Sequence, residues 1–530
     1  MKTLDQLKRM LEAGQIGRRE FMGRALAAGA TVALASTLAS KALKAGMPKK
    51  GGRLRLGVAG GATTDSLDPA TITDTMAMNL SYGQLRNCLV EIDADVKPIP
   101  ELAESWEASA DAATWTFKLR KGIEFHNGKT LDAEDVVFSI NHHRGEDTKS
   151  AAKGIVQSIE DIKADGKHTV VFSLQGGSAD FPFIVSDYHL SIVPKGTEGA
   201  DWEKGIGTGG YTFVSHEPGV RALTKRNPNY WKEGRAHFDE VETIGIADVN
   251  ARTSAIKTGE IDAMNRCDIK TVHLLKRSPD VQIIEVTGTK HYTVPMRTDM
   301  APFDNNDVRL AVKYACDREK MLQTILRGHG ALGNDHPIAL ANQYHASDLP
   351  QRQYDPDKAK FHLKKAGMSS LKLDLSAANA AFAGAVDAAV LYKESAAKCG
   401  IEINVIREPD DGYWSNVWMK KPWCMCFWSG RATEDWMFST AYAEGVDWND
   451  TFWVHDRFNK LLKQARAELD TSKRREMYVE MQTIVSDEGG VVVPMFANDV
   501  QAASSKIKFD KMASNWELDG NKCADRWWFA

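Results

Sequence analysis

The sequence predicts a mixed α/β protein of more than one domain. Hydrophobic periodicity changes repeatedly along the chain between 2, the period of strands, and 3.6, the period of helices. The chain has 530 residues, of which 43% are hydrophobic. A single hydrophobic core stops growing below this length, so roughly two to four domains are expected.

Three segments alternate apolar and polar residues and therefore predict half-buried strands. They cover residues 114–119, 371–375 and 401–405. The pair Cys424 and Cys426 is predicted to lie on a further, buried strand, because free cysteines are usually buried.

Three helices are also predicted from the sequence. The first is capped by Asp132 and continues through Ile140, with Asp135 in the first turn, where a carboxylate meets free N–H groups. The second is predicted as one continuous helix over residues 305–328, and the third over residues 471–490, ending at a glycine pair.

The charge balance argues against nucleic acid as a partner. There are 67 Lys and Arg residues against 71 Asp and Glu residues, a net charge of −4, with no block of like charge that could follow a phosphate backbone. The charge is unevenly distributed, since residues 1–42 carry +4 and the remaining 488 residues carry −8.

Residues 1–42 resemble a twin-arginine export signal. Arg18 and Arg19 precede a soft apolar run over residues 25–39, and the small-x-small sequence 40–42 offers a cleavage site. The run is too short and too weakly apolar to span a bilayer. No cysteine lies close behind the run, the first being Cys88, so a lipid anchor is not expected, and the mature protein is predicted to be free in the periplasm. The alternative is an amphipathic cytosolic helix.

The motifs of catalysis and metal binding are absent from the sequence. Gly128-Lys129-Thr130 lacks the first glycine of a phosphate loop, and no GxSxG motif occurs. His142 and His143 are adjacent, so on a helix they cannot share a metal ion. The seven scattered cysteines form neither a disulfide framework nor a zinc motif. We therefore predict no catalytic residue, no cofactor and no metal.

One segment is unusually rich in tryptophan, because half of the 14 indoles of the chain lie within 40 residues. These are Trp414, Trp418, Trp423, Trp428, Trp436, Trp448 and Trp453. Tryptophan often forms the flat walls of ligand sites. A polar loop that contains Arg431 follows the apolar stretch ending at Trp428, and ligands are usually held in such loops. In the alternative interpretation, the aromatics fill a core and Arg431 pairs with Glu434 or Asp435.

Several strings of the sequence match a known pattern when they are taken together. They cover residues 102–106, 114–128, 131–139, 207–211, 227–231, 307–311, 314–318 and 354–360. With them the chain resembles the large periplasmic solute-binding proteins that serve ABC importers for peptides, nickel chelates and opines, from residue 50 to residue 500. One departure is Gly210, where that family usually has Pro.

This resemblance implies an α/β, two-lobed periplasmic-binding-protein fold with a hinge and an extra inserted subdomain. Residues 43–82, 200–290 and 491–530 are expected to form lobe I, which is discontinuous. The inserted subdomain of lobe I would cover residues 83–199, and lobe II residues 291–490. Closure of the lobes buries the ligand, so charged ligand groups need fixed counter-charges.

The resemblance also makes Arg431 informative. In the peptide-binding members a loop residue three positions after a Trp is an Asp, which pairs with the α-ammonium of the peptide. Here the matching position is Arg431. An arginine favours a carboxylate, sulfonate or phosphate, which its planar fork binds in a bidentate fashion. Opine-like conjugates, other amino-acid derivatives or acidic sugar derivatives therefore fit better than peptides held by a free N-terminus.

The predicted function is that of the periplasmic substrate-binding component of an ABC importer. It would capture a small, anionic solute and deliver it to an inner-membrane permease as a monomer. The predicted ligand-binding residues are Arg431, Trp428, Ser429, Tyr413, Trp414, Asn416, Trp418, Asp435, Thr75 and Tyr82. The alternatives are an ordinary di- or oligopeptide as the ligand, presentation of the ligand to a chemoreceptor, or a periplasmic hydrolase that uses His126, His142 or Glu434.

Overall fold

The computed structural model describes residues 4, 7, 18–28, 30, 31, 35, 48–410 and 412–530. The arginine pair of the predicted export signal begins the helix Arg18–Ala27. The predicted cleavage sequence 40–42 and much of the apolar run lie outside the described residues. Among the helices described, none is both long and apolar enough to cross a membrane.

In the described part of the chain, nine strands form the largest sheet. Its two longest strands, Val281–Pro295 and Val491–Ser504, pair antiparallel along most of their length. The order across the sheet is Cys426–Trp428, Val281–Pro295, Val491–Ser504, Ala263–Met264, Arg53–Val58, Glu240–Gly245, Arg221–Arg226 and Tyr211–Glu217, with Gly330–Leu332 paired to Val491–Ser504.

The pairing of the two long strands is interrupted near their middle. Their register shifts between Thr287 and His291, where the partners on the other strand are Asn498 and Phe496. On one side of the shift the neighbouring strand is Ala263–Met264, and on the other it is Cys426–Trp428. The two strands thus connect two separately packed parts of the molecule through a locally irregular ladder.

A second, antiparallel sheet has its own hydrophobic core. Its strands, in order, are Ala103–Ala108, Thr114–Leu119, Thr169–Leu174 and Ile159–Ala164. The helix Ala133–Asn141 packs with this sheet. As predicted, Asp132 caps that helix and accepts from the Glu134 and Asp135 N–H groups, and Asp135 completes a capping box. The core that this region encloses is built from residues between 89 and 192.

The predicted strands in the second half of the chain are confirmed. Leu371–Ala377 and Ile401–Arg407 pair in parallel, and the helix Ala385–Ala397 connects them, which forms a βαβ unit. The helix Thr471–Glu488 also matches the prediction, with Asp470 as its N-cap and Gly489 at its end.

The prediction of one helix over residues 305–328 is wrong. The structure has two helices there, Asn306–Tyr314 and Arg318–Ile325. The break occurs because the Asp317 side chain accepts from the Lys320 N–H group and starts a second helix. Gly328 follows the second helix in the left-handed region, with φ of +80°.

The remaining elements are mostly short. The longer helices among them are Thr75–Leu80, Val249–Thr258, Pro356–Lys365, Glu434–Ala441 and Asp456–Ala467. One-turn helices are Lys153–Val156, Phe181–Ile184, Val272–Leu275, Tyr413–Asn416, Glu517–Gly520 and Cys523–Arg526. Two strand pairs lie outside the main sheets, Val90–Ile92 with Pro98–Pro100 and Ile507–Lys508 with Trp528–Phe529.

Several separate hydrophobic clusters are present in the described part of the chain. One cluster combines residues from 54–85, 211–286 and 503–527. A second combines residues from 292–425 and 492–497, and a third combines residues from 338–344 and 428–496. All seven cysteines are free and buried, including Cys424 and Cys426, as predicted. Mixed α/β structure is thus organised around more than one core.

Candidate ligand-binding site

Aromatic side chains from the tryptophan-rich segment surround a cavity of about 520 Å³. We call it the tryptophan cavity. Its lining residues are Ala380, Trp414, Trp418, Cys426, Phe427, Trp428, Ser429, Arg431 and Trp448. Five of the predicted ligand-binding residues therefore meet at one place.

The strand Cys426–Trp428 and the loop after it position this site. Trp428 lies opposite His291 of the long strand Val281–Pro295. Gly430 then turns the chain with φ of +79°, and a Cβ atom on it would lie 2.3 Å from the Thr289 carbonyl oxygen. Only glycine fits such a position. The turn brings Arg431 to the cavity wall before Thr433 caps the helix Glu434–Ala441.

The indole rings meet mostly edge to face. The ring centroids of Trp414 and Trp418 are 5.8 Å apart, those of Trp418 and Trp428 6.2 Å, and those of Trp428 and Trp448 6.0 Å. Trp414 and Trp448 remain exposed, Trp448 to 50%. Large apolar side chains that line a cavity and stay open to water are typical of a surface that a ligand covers.

A buried carboxylate holds one of these rings in place. The Trp418 Nε1–H group donates to Asp450 Oδ2 at 3.1 Å. Burial raises the pKa of Asp450 to about 6. Because this hydrogen bond fixes the orientation of the indole, the face that Trp418 presents to the cavity is set before any ligand arrives.

Arg431 has no counter-charge in the described structure. Its Nη1 donates at 2.8 Å to the carbonyl oxygen of Gly430, and its guanidinium lies 5.8 Å from the ring centroid of Trp436. Burial lowers the pKa of the Arg431 guanidinium. Among the described residues, no carboxylate lies within ion-pair distance of it. The cavity wall therefore carries a half-buried, unpaired positive charge.

The two acids that were considered as partners of Arg431 are engaged elsewhere. Glu434 accepts from the Tyr344 N–H group at 2.6 Å, and burial raises the pKa of Glu434 to about 7. Asp435 pairs with Arg466 Nε at 3.1 Å. Among the described residues, therefore, neither Glu434 nor Asp435 neutralises Arg431.

The other predicted site residues lie outside the lining of the tryptophan cavity. Tyr413 is buried behind it, donates to the Met425 carbonyl oxygen at 2.7 Å and packs edge-on against Trp414. Asn416 is exposed.

Thr75, Tyr82 and Asp435 lie elsewhere. The Thr75 hydroxyl contacts Glu517, Tyr82 is buried beneath the Lys522 ammonium, and Asp435 faces a different cavity. Sequence proximity and family resemblance do not specify these orientations.

Sequence analysis missed four residues that line the cavity. Phe427 and Trp448 were visible in the tryptophan-rich segment, but a strand of three residues is too short to show which side faces a cavity. Cys426 and Ala380 gave no signal, since Ala380 comes from a distant part of the chain and is small and apolar.

The acid–base candidates of the hydrolase alternative do not form a common site. His126 Nε2 lies 3.0 Å from the Gly209 carbonyl oxygen, and His142 Nε2 lies 2.7 Å from Asp68. Glu434 contacts Tyr344 instead. Within the part of the chain that the structure describes, no group of His, Cys, Asp or Glu side chains could hold a metal ion.

Comparison with known proteins identifies the family. The model of the bacterial extracellular solute-binding proteins, family 5 Middle, matches residues 97–450. Di/tripeptide-binding protein 1 of Pseudomonas aeruginosa (strain UCBPP-PA14) is 26% identical over 458 residues, which cover 79% of this chain and 85% of that protein.

Two solved structures show the same fold. HbpA2 from Haemophilus parasuis superposes with a TM-score of 0.80 at 22% identity, over 88% of this chain and 99% of that one. The periplasmic binding protein AgaA from A. tumefaciens R10, solved with agropinic acid, has a TM-score of 0.69 at 23% identity, over 90% of this chain and 99% of that one. The chain therefore belongs to the family 5 bacterial solute-binding proteins, two-lobed substrate-binding components of ABC importers, and is not an enzyme.

Proposed function

We propose that this protein captures a small, anionic, peptide-like or opine-like solute between its lobes and delivers it to an inner-membrane ABC permease. The observation that carries the proposal is Arg431. It is a half-buried guanidinium without a carboxylate partner among the described residues, and it lines a cavity walled by indoles.

The electrostatics of the cavity favour a carboxylate, sulfonate or phosphate. A cation that closure takes out of water is costly unless a charge of opposite sign compensates it. A guanidinium can offer two parallel N–H groups to a planar anion, and such charge-assisted pairs are about twice as strong as neutral hydrogen bonds. An ammonium group at the same position would be repelled.

The walls of the cavity favour a ligand with an apolar or flat portion. Trp414, Trp418, Trp428 and Trp448 offer ring faces and edges, on which aromatic and CH-rich groups pack. The relatives are compatible with such ligands, since one is named as a di/tripeptide-binding protein and a structural neighbour was solved with agropinic acid. Amino-acid conjugates combine these features.

The site of action that we propose is the periplasm. The support for this is the arginine pair Arg18 and Arg19, followed by an apolar run and a small-x-small sequence, as in twin-arginine signals. Removal of residues 1–42 leaves a chain of net charge −8, so its overall field does not attract anions. We propose that it acts as a monomer, and that anion preference depends on Arg431 alone.

The proposal is tested with ligands that share one skeleton. Thermal unfolding is measured with Ala-Phe, N-acetyl-Ala-Phe, Ala-Phe amide and the opine N-(1-carboxyethyl)phenylalanine. We expect the opine and N-acetyl-Ala-Phe to stabilise the protein and Ala-Phe amide to have no effect. A ligand at 100 times its Kd adds about 2.7 kcal/mol to the free energy of unfolding.

An ordinary peptide is the second candidate ligand, because the relative with 26% identity is a di/tripeptide-binding protein. The same experiment separates the two candidates. Stabilisation by Ala-Phe and Ala-Phe amide, without stabilisation by N-acetyl-Ala-Phe or the opine, would replace the anionic ligand with a peptide held by its free N-terminus.

A further inference from the structure

Two charged side chains, those of Lys290 and Asp499, lie on the long strand pair beside the tryptophan cavity. Lys290 belongs to the strand Val281–Pro295, and its Nζ lies 5.8 Å from the ring centroid of Tyr292 and 5.8 Å from that of Phe427. Phe427 lines the tryptophan cavity. The Lys290 ammonium is therefore next to the wall of that cavity.

Asp499 lies on the neighbouring strand, close to Lys290. Its register partner is Val286, and its Oδ2 lies 3.3 Å from the position that a Cβ atom on Gly288 would occupy. Because Gly288 has no side chain, there is room for this carboxylate two residues before Lys290. The two opposite charges are close enough for each to influence the pKa of the other.

Neither charge has a hydrogen-bond or ion-pair partner among the described residues. Lys290 is exposed, and its ammonium contacts no oxygen of the described chain. Asp499 is half-buried, but its carboxylate oxygens accept no hydrogen bond there and stay open to solvent. The other two charged groups that act on this pair, Arg266 and Glu517, bind each other at 2.9 Å. Both Lys290 and Asp499 are therefore available to a ligand.

The pKa shifts of the two groups are those of charges that lack a partner. Loss of hydration lowers the pKa of Lys290 and raises that of Asp499 to about 6. In the buried pair of Arg318 and Asp335, by contrast, contact at 2.6 Å raises the pKa of Arg318 and lowers that of Asp335. A ligand group of opposite charge would thus stabilise the ionised form of Lys290 and of Asp499.

We propose that Lys290 and Asp499 bind the zwitterionic amino-acid group of the ligand, its carboxylate at Lys290 and its protonated amine at Asp499, while a second anionic group of the same ligand reaches Arg431. This inference rests on the proposed function, because it extends the ligand of the tryptophan cavity. The ligand is then an amino-acid conjugate that keeps a carboxylate and a protonated amine and carries one more acid, as opines do. The pair and the zwitterion are each neutral overall, so the preference for a net anion still depends on Arg431.

The test is calorimetric titration of the full-length protein with three probes that share one skeleton. N-(1-carboxyethyl)phenylalanine has two carboxylates and a protonated secondary amine. Its N-acetyl derivative lacks the positive charge, and N-(2-phenylethyl)alanine lacks one carboxylate. We expect the wild type to bind the first probe at least tenfold more tightly than either of the others.

Two variants assign these preferences to the two side chains. Asp499→Asn should reduce the preference over the N-acetyl derivative to less than threefold, because the amide no longer attracts the amine. Lys290→Gln should reduce the preference over N-(2-phenylethyl)alanine to less than threefold, because the second carboxylate loses its cation. Asp165→Asn and Lys257→Gln, at exposed positions elsewhere, should keep both preferences.

The outcomes separate this inference from the proposed function. If the wild type binds the three probes within threefold of one another, or if either folded variant keeps the wild-type preference, the inference is wrong while the anionic ligand stands. If no probe binds, or if Arg431→Glu binds all three as the wild type does, the proposed function fails and the inference fails with it. If Asp499→Asn does not fold, as judged by circular dichroism, the result with Lys290→Gln decides.

Discussion

At the scale of single residues, we propose that the charge of Arg431 selects the ligand. Its guanidinium has tryptophan rings around it and a single hydrogen bond to the neighbouring Gly430 carbonyl. A cation in this setting contributes little to folding, since in the described structure it forms no ion pair. Its positive charge is therefore available to a ligand.

Reversing that charge should abolish binding and leave the fold intact. We expect Arg431→Glu to lose about 3 kcal/mol or more of binding free energy for whichever anionic probe stabilises the wild type, because a buried anion would face a carboxylate. Calorimetry measures the loss. Arg407→Glu, at an exposed arginine of the strand Ile401–Arg407, is the matched control and should bind normally. Unchanged affinity in Arg431→Glu would make Arg431 a structural residue.

The buried acid Glu434 should make stability depend on pH. Burial raises the pKa of Glu434 from 4.5 to about 7 in the folded protein. Protonated Glu434 is thus favoured by folding, and its contribution to the free energy of unfolding is complete below about pH 4.5 and is lost as the pH rises through 7.

Glu434→Gln removes this titration. As the pH rises from 5 to 8, the wild type should lose stability as Glu434 ionises, and the variant should not. The difference in the free energy of unfolding, variant minus wild type, should therefore grow by on the order of 2 kcal/mol between these two pH values. Urea unfolding at the two pH values measures the difference. The comparison isolates Glu434, since Asp435 and Asp450 titrate in both proteins. An equal pH dependence in the two proteins would show that Glu434 is not held in its protonated form.

The sequence could predict which residues belong to the site better than it could predict which way their side chains face. The tryptophan-rich composition pointed to Trp414, Trp418 and Trp428, and the family resemblance pointed to Arg431, three residues after Trp428. The sequence could not show that Asp435 faces away from the tryptophan cavity, because that depends on how the helix Glu434–Ala441 is oriented in the fold.

At the scale of elements, helix ends explain several buried charges. The helix Thr471–Glu488 ends beside the helix Asn306–Tyr314, and Lys313 Nζ donates to the carbonyl oxygens of Val485, Ser486 and Gly489. Carbonyls at a helix end lack partners within the helix, and a positive group there also compensates the helix dipole. Burial lowers the pKa of Lys313 to about 7.

Replacing Lys313 should lower the stability of the fold, although this residue does not line the tryptophan cavity. Lys313→Met keeps most of the unbranched side chain but leaves three buried carbonyl oxygens without that donor, so we expect a loss of about 2–4 kcal/mol in the free energy of unfolding. Chemical denaturation measures it. Lys393→Met, on the helix Ala385–Ala397, is an exposed control without such contacts. Equal stability of the two variants would contradict this account.

The elements were predicted best where periodicity was strong. The alternating strands Thr114–Leu119 and Leu371–Ala377 and the capped helix Ala133–Asn141 are present as expected. The predicted single helix over residues 305–328 failed, because its apolar pattern continues across the break while Asp317 caps a new helix. Local capping overrode the longer pattern there.

At the scale of the whole molecule, we expect closure to depend on a small hydrophobic contact between the first and the second half of the chain. Ile92, Val96 and Phe183 pack together, and Ala432 of the loop after Trp428 packs against them. The loop that carries Arg431 thus contacts residues from the first half of the chain. The two long strands have an irregular register near Thr287 and His291, and we expect the hinge at this point.

Introducing a charge into this contact should open the molecule. Val96 is only 6% exposed, so Val96→Asp places a carboxylate in a buried position. From the lost apolar burial we expect the equilibrium between closed and open arrangements to shift by about 2 kcal/mol toward the open one. Val96 has φ of +57°, a region that aspartate tolerates better than valine, so the subdomain should still fold.

Small-angle X-ray scattering of the ligand-free protein measures the effect. Val96→Asp should have a larger radius of gyration than the wild type, and Val214→Asp, at an exposed valine, should not. Equal values for all three proteins would mean that this contact does not hold the lobes together.

The family strings were sufficient to predict the two-lobed fold, but not the details of closure. Such strings report local elements, whereas Ala432 packs against a cluster of Ile92, Val96 and Phe183 that is distant in sequence. The predicted boundaries at residues 82, 199, 290 and 490 stay a prediction, since sheet strands and core clusters do not fix a boundary to one residue.

The most direct test of the central claim is mass spectrometry of the small molecules that co-purify with the natively expressed protein. We predict a bound solute with a carboxylate, sulfonate or phosphate group, present with the wild type and absent from Arg431→Glu. A peptide with a free N-terminus, retained equally by the wild type and by Arg431→Glu, would contradict the account.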